Sequence, residues 1–261
     1  MQTFLVTVHP LAEPLSIPAR AEGPGPRVGV LLVHGFCGSP ASMRPWAQYL
    51  AGRGHAVEVP LLPGHGTRWQ DLNTVRWRDW YAEAERGLDR LLASCDAVVV
   101  GALSMGGSLA LRLAEERGPD VAGLVLVNPF VSSSRVELRA LPVLKHLLPS
   151  LGGITNDINK PGTDEVGYSR LPLRGLAEVT RLWGSVVPDL AKVTAPLLYF
   201  RSCVDHVIDA SSSPTVLGAV SSRDVEERLL VDSFHVATLD HDAERIFTES
   251  AQFIDRVTVR A

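Results

Sequence analysis

Residues 97–117 limit the possible fold more than any other stretch. Ala97-Val-Val-Val-Gly101 is a short, apolar, largely β-branched run, the kind that forms a strand buried on both faces. It leads through Ala102 and Leu103 into Ser104-Met105-Gly106-Gly107. Residues 108–117 then supply good helix formers, up to a Gly118-Pro119 stop. Ser104 therefore falls at a sharp strand-to-helix turn. Such a turn needs nearly side-chain-free neighbours, so that strand and helix can pass closely. Gly106 and Gly107 meet that need on one side. On the other side the position is filled by Ala102, with Gly101 one place too early. This geometry lifts a serine hydroxyl out of the sheet to where a base can reach it. It also aims the Met105 N–H at the place where an oxyanion would form. Small residues would equally suit a strand that merely packs on a helix, so the partners of Ser104 carry the decision.

The same strand-then-helix alternation extends over most of the chain. Apolar runs at 28–33, 56–60, 121–127, 196–201 and 225–230 read as strands, and 4–8 and 15–21 as two shorter ones. Helical patterns cover about 40–52 (Ser39 as N-cap, Pro40 at the first position), 77–93, 211–220 and 243–257. Repeated alternation predicts an α/β fold, a mostly parallel central sheet with helices on both faces. Residues 130–193 break the pattern. They show no clear strand and two amphipathic helices, 138–148 and 173–190, interrupted by Pro and Gly. This block exceeds an ordinary loop. It predicts an inserted helical cap on a core built from 1–129 and 194–261. Leu138, Leu141, Val143, Leu144, Leu147 and Leu148 carry more apolar surface than one buried face requires, which fits either a lid over an apolar ligand or residues that only bury the cap on the core.

In an open parallel sheet, functional groups gather beyond the carboxyl ends of the strands. That rule selects Asp205, after the 196–201 strand, and His235, after the 225–230 strand. The order Ser104, Asp205, His235 is one of the known chain orders of a Ser-His-Asp triad. His235 would accept the serine proton and pass it to the leaving alkoxide. Asp205 would fix the tautomer and stabilise the imidazolium. Asp209, Asp232 and Asp240 are rival acids, and His206 and His241 read as loop polar residues. The second oxyanion donor belongs in the loop after 28–33, where Phe36 of His34-Gly35-Phe36 fits, while His34 itself reads as structural. Cys37 has no His/Asn pair to activate it and reads as a small packing residue.

Composition removes several function classes. Net charge is −4 with a pI near 6.1, and no basic stripe suggests nucleic-acid binding. Three cysteines, Cys37, Cys95 and Cys203, form neither a disulfide framework nor a metal-ligand spacing. They read as reduced thiols, with a cytoplasmic location. No secretory leader or apolar run of membrane-spanning length is apparent in the sequence, so stable membrane insertion is not expected.

Taken together, these stretches resemble the small bacterial carboxylesterases and monoacylglycerol lipases of the α/β-hydrolase superfamily. The likeness lies in Leu31-Leu-Val-His-Gly-Phe36, Pro63-Gly-His-Gly-Thr67, Leu103-Ser-Met-Gly-Gly107, Val204-Asp-His-Val207 and Phe234-His-Val-Ala-Thr-Leu-Asp240. The resemblance implies nucleophile, acid and base at Ser104, Asp205 and His235, and oxyanion donors at Phe36 and Met105. Lys160-Pro-Gly-Thr-Asp-Glu-Val-Gly-Tyr168 is similar to the cap segment of the monoacylglycerol lipases. By that likeness Glu165 would face the glycerol hydroxyls and Ile154 would line the acyl path. Ala102 in place of a glycine, and Cys37 in place of a small hydroxyl residue, depart from the pattern. The implied activity is hydrolysis of short- to medium-chain acyl esters through an acyl-enzyme. The implied partner is a small-molecule ester, with transient lipid contact through the cap and no metal or organic cofactor. A thioesterase would use the same triad, and a ligand-binding protein could keep the same fold.

Overall fold

The computed structural model describes residues 8–20 and 25–259. Their strands are β1 (Leu15–Ile17), β2 (Val28–Val33), β3 (Ala56–Val59), β4 (Ala97–Leu103), β5 (Gly123–Val127), β6 (Ser150–Gly152), β7 (Arg170–Pro172), β8 (Leu197–Ser202) and β9 (Val225–Leu230). The helices are α1 (Arg44–Gly52), α2 (Trp77–Leu92), α3 (Met105–Glu116), α4 (Leu141–Leu147), α5 (Leu173–Val186), α6 (Ser212–Leu217) and α7 (Ala243–Thr258). Seven strands form one sheet in the order β1-β3-β2-β4-β5-β8-β9. All neighbours pair in parallel except β1, which runs antiparallel to β3 at the edge. The early strand expected at 4–8 lies outside the described residues except for Val8.

The central strands are apolar throughout because both faces are covered. Along β4, Val98, Val100 and Ala102 enter the core beneath α2, α3 and α5, while Val99 and Leu103 enter the core beneath α1 and α7. This is the two-residue alternation of a strand turned toward two apolar layers. Gly101, which looked displaced in the sequence motif, has its own packing reason. A Cβ there would lie 2.6 Å from Leu32 Cδ2 and 3.0 Å from the Trp46 ring. It makes room for the fully buried Trp46 of α1.

Between β5 and β8 the chain differs from the sequence expectation. Residues 150–152 and 170–172 form a short antiparallel ribbon, β6-β7. Three-residue strands containing Gly and Pro are too brief to show alternation, which is why the sequence showed none. The expected 138–148 helix divides into a 3₁₀ turn, Val136–Ala140, and α4. The expected 173–190 helix ends as α5 at Val186 and continues as a 3₁₀ segment containing Pro188. Helix α5 is not loosely attached. Leu176, Val179, Leu182 and Val186 share one core with Leu109 and Leu113 of α3. By contrast, Val143 and Leu147 of α4 point to solvent.

The turn after β4 is sterically committed to glycine. A Cβ on Gly106 would lie 2.3 Å from the Val33 carbonyl oxygen, and one on Gly107 would lie 2.5 Å from Pro129 Cβ. Gly106→Ala must therefore push backbone against backbone. The expected cost is about 3 kcal/mol, seen as a Tm lower by roughly 6–12 °C in thermal unfolding. An unchanged Tm would mean that the turn is not packed this tightly.

Candidate active site

Ser104 stands between β4 and α3 with φ 54° and ψ −122°, a conformation that costs a non-glycine residue about 1–3 kcal/mol. The turn is held by three backbone bonds: Ser104 N–H to Val127 O (3.1 Å), Gly107 N–H to Ser104 O (2.8 Å) and Phe130 N–H to Ser104 O (3.0 Å). The strained residue is thus fixed by the end of β5, the segment just after it and the first turn of α3, rather than by its own side chain. As the first residue of α3, Met105 has an amide that no turn of helix lies behind.

His235 follows β9 and Asp205 follows β8. Their contact is direct: Asp205 Oδ2 lies 2.7 Å from His235 Nδ1. The second carboxylate oxygen, Oδ1, accepts the N–H groups of Val207 (2.9 Å) and Ile208 (2.8 Å), so the acid cannot swing. Both side chains are largely buried. Burial favours the neutral acid, but His235 and these amides outweigh it and hold the Asp205 pKa below the ordinary carboxylate value. Burial likewise disfavours the imidazolium. The carboxylates of Asp205, Glu165 and Asp157 overcome that and raise the His235 pKa above the ordinary imidazole value. Ser104 and His235 border the same cavity, of about 250 Å³, without a hydrogen bond between them. Such contacts tighten when substrate is bound.

The rival acids have other tasks. Asp209 accepts Ser133 Oγ–H and the amides of Ser134 and Ser211. Asp240 accepts the amides of Asn159, Lys160, Phe234 and His241. Asp232 is exposed, and among the described residues only its backbone is engaged, its carbonyl accepting from Asn159 Nδ2 and its N–H donating to Asp242 Oδ2. His206 pairs with Asp157, and His241 is exposed.

The loop after β2 lies against the nucleophile: a Cβ on Gly35 would come 3.1 Å from Ser104 Cβ. Phe36 is anchored by its ring, which packs against His65 and Trp80 at centroid distances of 6.1 and 5.8 Å and fills the space left by Gly175 of α5. His34 is structural, as expected. Its Nε2 accepts the Leu62 N–H (3.2 Å), so Nδ1 carries the proton and donates to Gly35 O (2.9 Å). Burial lowers its pKa to about 4, so the ring stays neutral. Cys37 also borders the cavity. Burial, aided by Glu165, pushes its thiol far up, which leaves it protonated and poorly nucleophilic.

Phe36, Leu138, Ile154, Glu165, Leu171 and Leu176 line the same cavity. Ile154 sits at its rim, 55% exposed. Glu165 is held by reciprocal bonds with Asn156: Asn156 N–H to Oε1 (2.8 Å) and Glu165 N–H to Asn156 Oδ1 (2.9 Å). Burial raises its pKa against the opposing pull of the Asn156 amide and His235. Among the described residues, no group of three or more His, Cys, Asp or Glu could hold a metal ion, and no helix is long and apolar enough to cross a membrane.

Asn128 had no signal in the sequence beyond ending a strand before Pro129. It adopts φ 43°, and its side chain joins two loops of the site. Nδ2 donates to Ser202 Oγ and to His235 O (both 2.9 Å), while Oδ1 accepts Ser202 N–H (2.8 Å).

Strand order, strained serine and buttressed histidine agree with the sequence matches. Residues 30–260 fit the model of the alpha/beta hydrolase family. The chain belongs to that family. It is 38% identical to a thermostable monoacylglycerol lipase of Bacillus sp. (strain H-257), over 87% of this chain and 90% of that protein. A solved structure of the metagenome-derived lipolytic enzymes LipS and LipT superposes with a TM-score of 0.90 at 32% identity, covering 96% of this chain and 100% of that one. A monoglyceride lipase variant from Saccharomyces cerevisiae, 16% identical, shares the fold with a TM-score of 0.77 over 94% of this chain and 91% of that one.

Proposed function

We propose that this alpha/beta hydrolase cleaves carboxylic esters through Ser104, His235 and Asp205, and that its preferred substrates are monoacylglycerols with short- to medium-length acyl chains. The observation that carries the proposal is one cavity bordered by the strained Ser104, the Asp205-buttressed His235, an apolar wall and the anchored carboxylate of Glu165. In this mechanism His235 takes the Ser104 proton as Oγ attacks the ester carbonyl. The amides of Phe36 and Met105 receive the oxyanion. His235 then protonates the leaving glycerol oxygen, and finally activates the water that releases the acid.

Residues 130–193 serve as the cap on the core of 1–129 and 194–261. Their acyl-facing side includes Leu138 and Leu171, with Ile154 on the acyl path. Glu165 accepts hydrogen bonds from the glycerol hydroxyls. The outer face carries Val143, Leu147, Leu148 and Leu151, all exposed, which suits transient contact with a lipid surface. Three free cysteines suit a reducing, cytoplasmic setting. The similarity to a protein named monoacylglycerol lipase supports the same substrate class.

Glu165→Ala tests the headgroup assignment. Loss of a hydrogen bond to a charged group is worth about 1.5–3 kcal/mol, so kcat/KM for a monoacylglycerol is expected to fall roughly ten- to a hundredfold. A p-nitrophenyl ester of the same chain length should be nearly unaffected. Both substrates are compared well above the His235 pKa, where loss of the Glu165 charge no longer changes the protonation of the base. Equal loss on the two would remove glycerol recognition from the account.

A further inference from the structure

The insert does more than cover the cavity. Asp157 lies in it, 8% exposed, and reaches into the loops that carry the acid and the base. Its Oδ2 accepts two backbone N–H groups at once, from His206 at 3.1 Å and from His235 at 3.2 Å. Its Oδ1 lies 2.7 Å from His206 Nδ1, and its own carbonyl accepts the Val236 N–H at 3.1 Å. His206 directly follows Asp205 in the chain. One carboxylate of the insert therefore bonds the residue after the acid and the base itself. Asp240 completes the seam in the opposite direction, from the base loop to the amides of Asn159 and Lys160 of the insert.

We propose that Asp157 is a positioning residue for the triad: its Oδ2 clamps the loops after β8 and β9 together, which sets the His235 ring against Asp205 and Ser104. The proposal deepens the triad assignment made above and rests on it. The backbone clamp and the negative charge are separable. Asparagine at 157 offers one carbonyl oxygen to the two amides and turns its NH₂ toward His206 Nδ1, which then takes the acceptor tautomer. The clamp survives and the charge is lost. Three carboxylates face His235: Asp205 from the loop after β8, and Asp157 and Glu165 from the insert. Removing one negative charge lowers the His235 pKa. Since the base must be neutral, the acid limb of kcat/KM moves to lower pH.

The experiment compares Asp157→Asn, Asp157→Ala and His206→Ala with the native chain, using p-nitrophenyl butyrate for kcat, KM and the pH profile, and a fluorophosphonate for the rate of Ser104 modification. A shift of a catalytic group by about 1 Å costs on the order of a hundredfold. Asp157→Ala is expected to lose kcat on that scale with KM little changed, and to react with fluorophosphonate correspondingly slowly. Asp157→Asn is expected to recover most of kcat at high pH while its acid limb lies below that of the native chain. His206→Ala keeps the backbone amide and should retain near-native kcat. A native rate in folded Asp157→Ala would overturn the proposal, as would an unmoved acid limb in Asp157→Asn, or a loss in His206→Ala equal to that of Asp157→Ala. If Asp157→Ala does not fold, the Asp157→Asn profile still decides. Absence of any fluorophosphonate adduct on the native chain would be a failure of the triad assignment instead, which keeps the two separate.

Discussion

Ser104→Ala lowers kcat for p-nitrophenyl butyrate by roughly five to six orders of magnitude, the scale seen when a triad nucleophile is removed. The variant retains a thermal midpoint close to native. The rate loss follows because Ser104 Oγ is the only atom that the account places to form the acyl-enzyme. What remains is the contribution of the oxyanion amides and of binding. The stability forecast follows from the backbone. Alanine inherits φ 54° from serine, so the strain of the turn is neither relieved nor increased. The fold elements around it, Gly106 against Val33 O and Gly107 against Pro129, are untouched. Steady-state turnover with calorimetry checks both halves. A variant retaining a tenth of native activity would place the nucleophile elsewhere.

Asp205→Asn should be nearly as damaging, about 10⁴-fold in kcat. The reason is tautomeric and can be read from the hydrogen bonds. Asp205 Oδ1 accepts two backbone amides, and Oδ2 accepts the His235 Nδ1 proton. An asparagine must give its single oxygen to the Val207 and Ile208 amides. Its NH₂ then faces Nδ1, which can receive it only by surrendering its proton to Nε2. A ring protonated at Nε2 cannot accept a proton from Ser104. The substitution also removes the strongest of the charges that raise the His235 pKa, so any residual activity should have its acid limb at lower pH than native. Kinetics across pH test both statements. An Asp205→Asn enzyme within tenfold of native would move the role of acid to another residue.

The sheet was legible because its central strands are buried on both faces and carry unbroken apolar runs. Positions of Asp205 and His235 followed from the rule that function gathers at the carboxyl ends of parallel strands. What escaped notice works through the backbone. Asn128 and Asp157 bind amides and carbonyls of distant loops, and Asp240, weighed only as a rival acid, binds the amides of Asn159 and Lys160; no side-chain pattern announces such backbone partners. The β6-β7 ribbon escaped because three residues are shorter than any period. Gly101 was visible but belonged to a different constraint: it looked like a misplaced elbow glycine and is instead the gap filled by Trp46. Ala102, standing where the elbow glycine was expected, is fully buried in the core beneath α2 and α3.

The most direct test of the triad is the intact mass of the native chain and of Ser104→Ala after exposure to a fluorophosphonate. A single adduct is expected on the native chain, located at Ser104, and none on the variant. An unmodified native chain, or an adduct that persists when Ser104 is replaced, would contradict it.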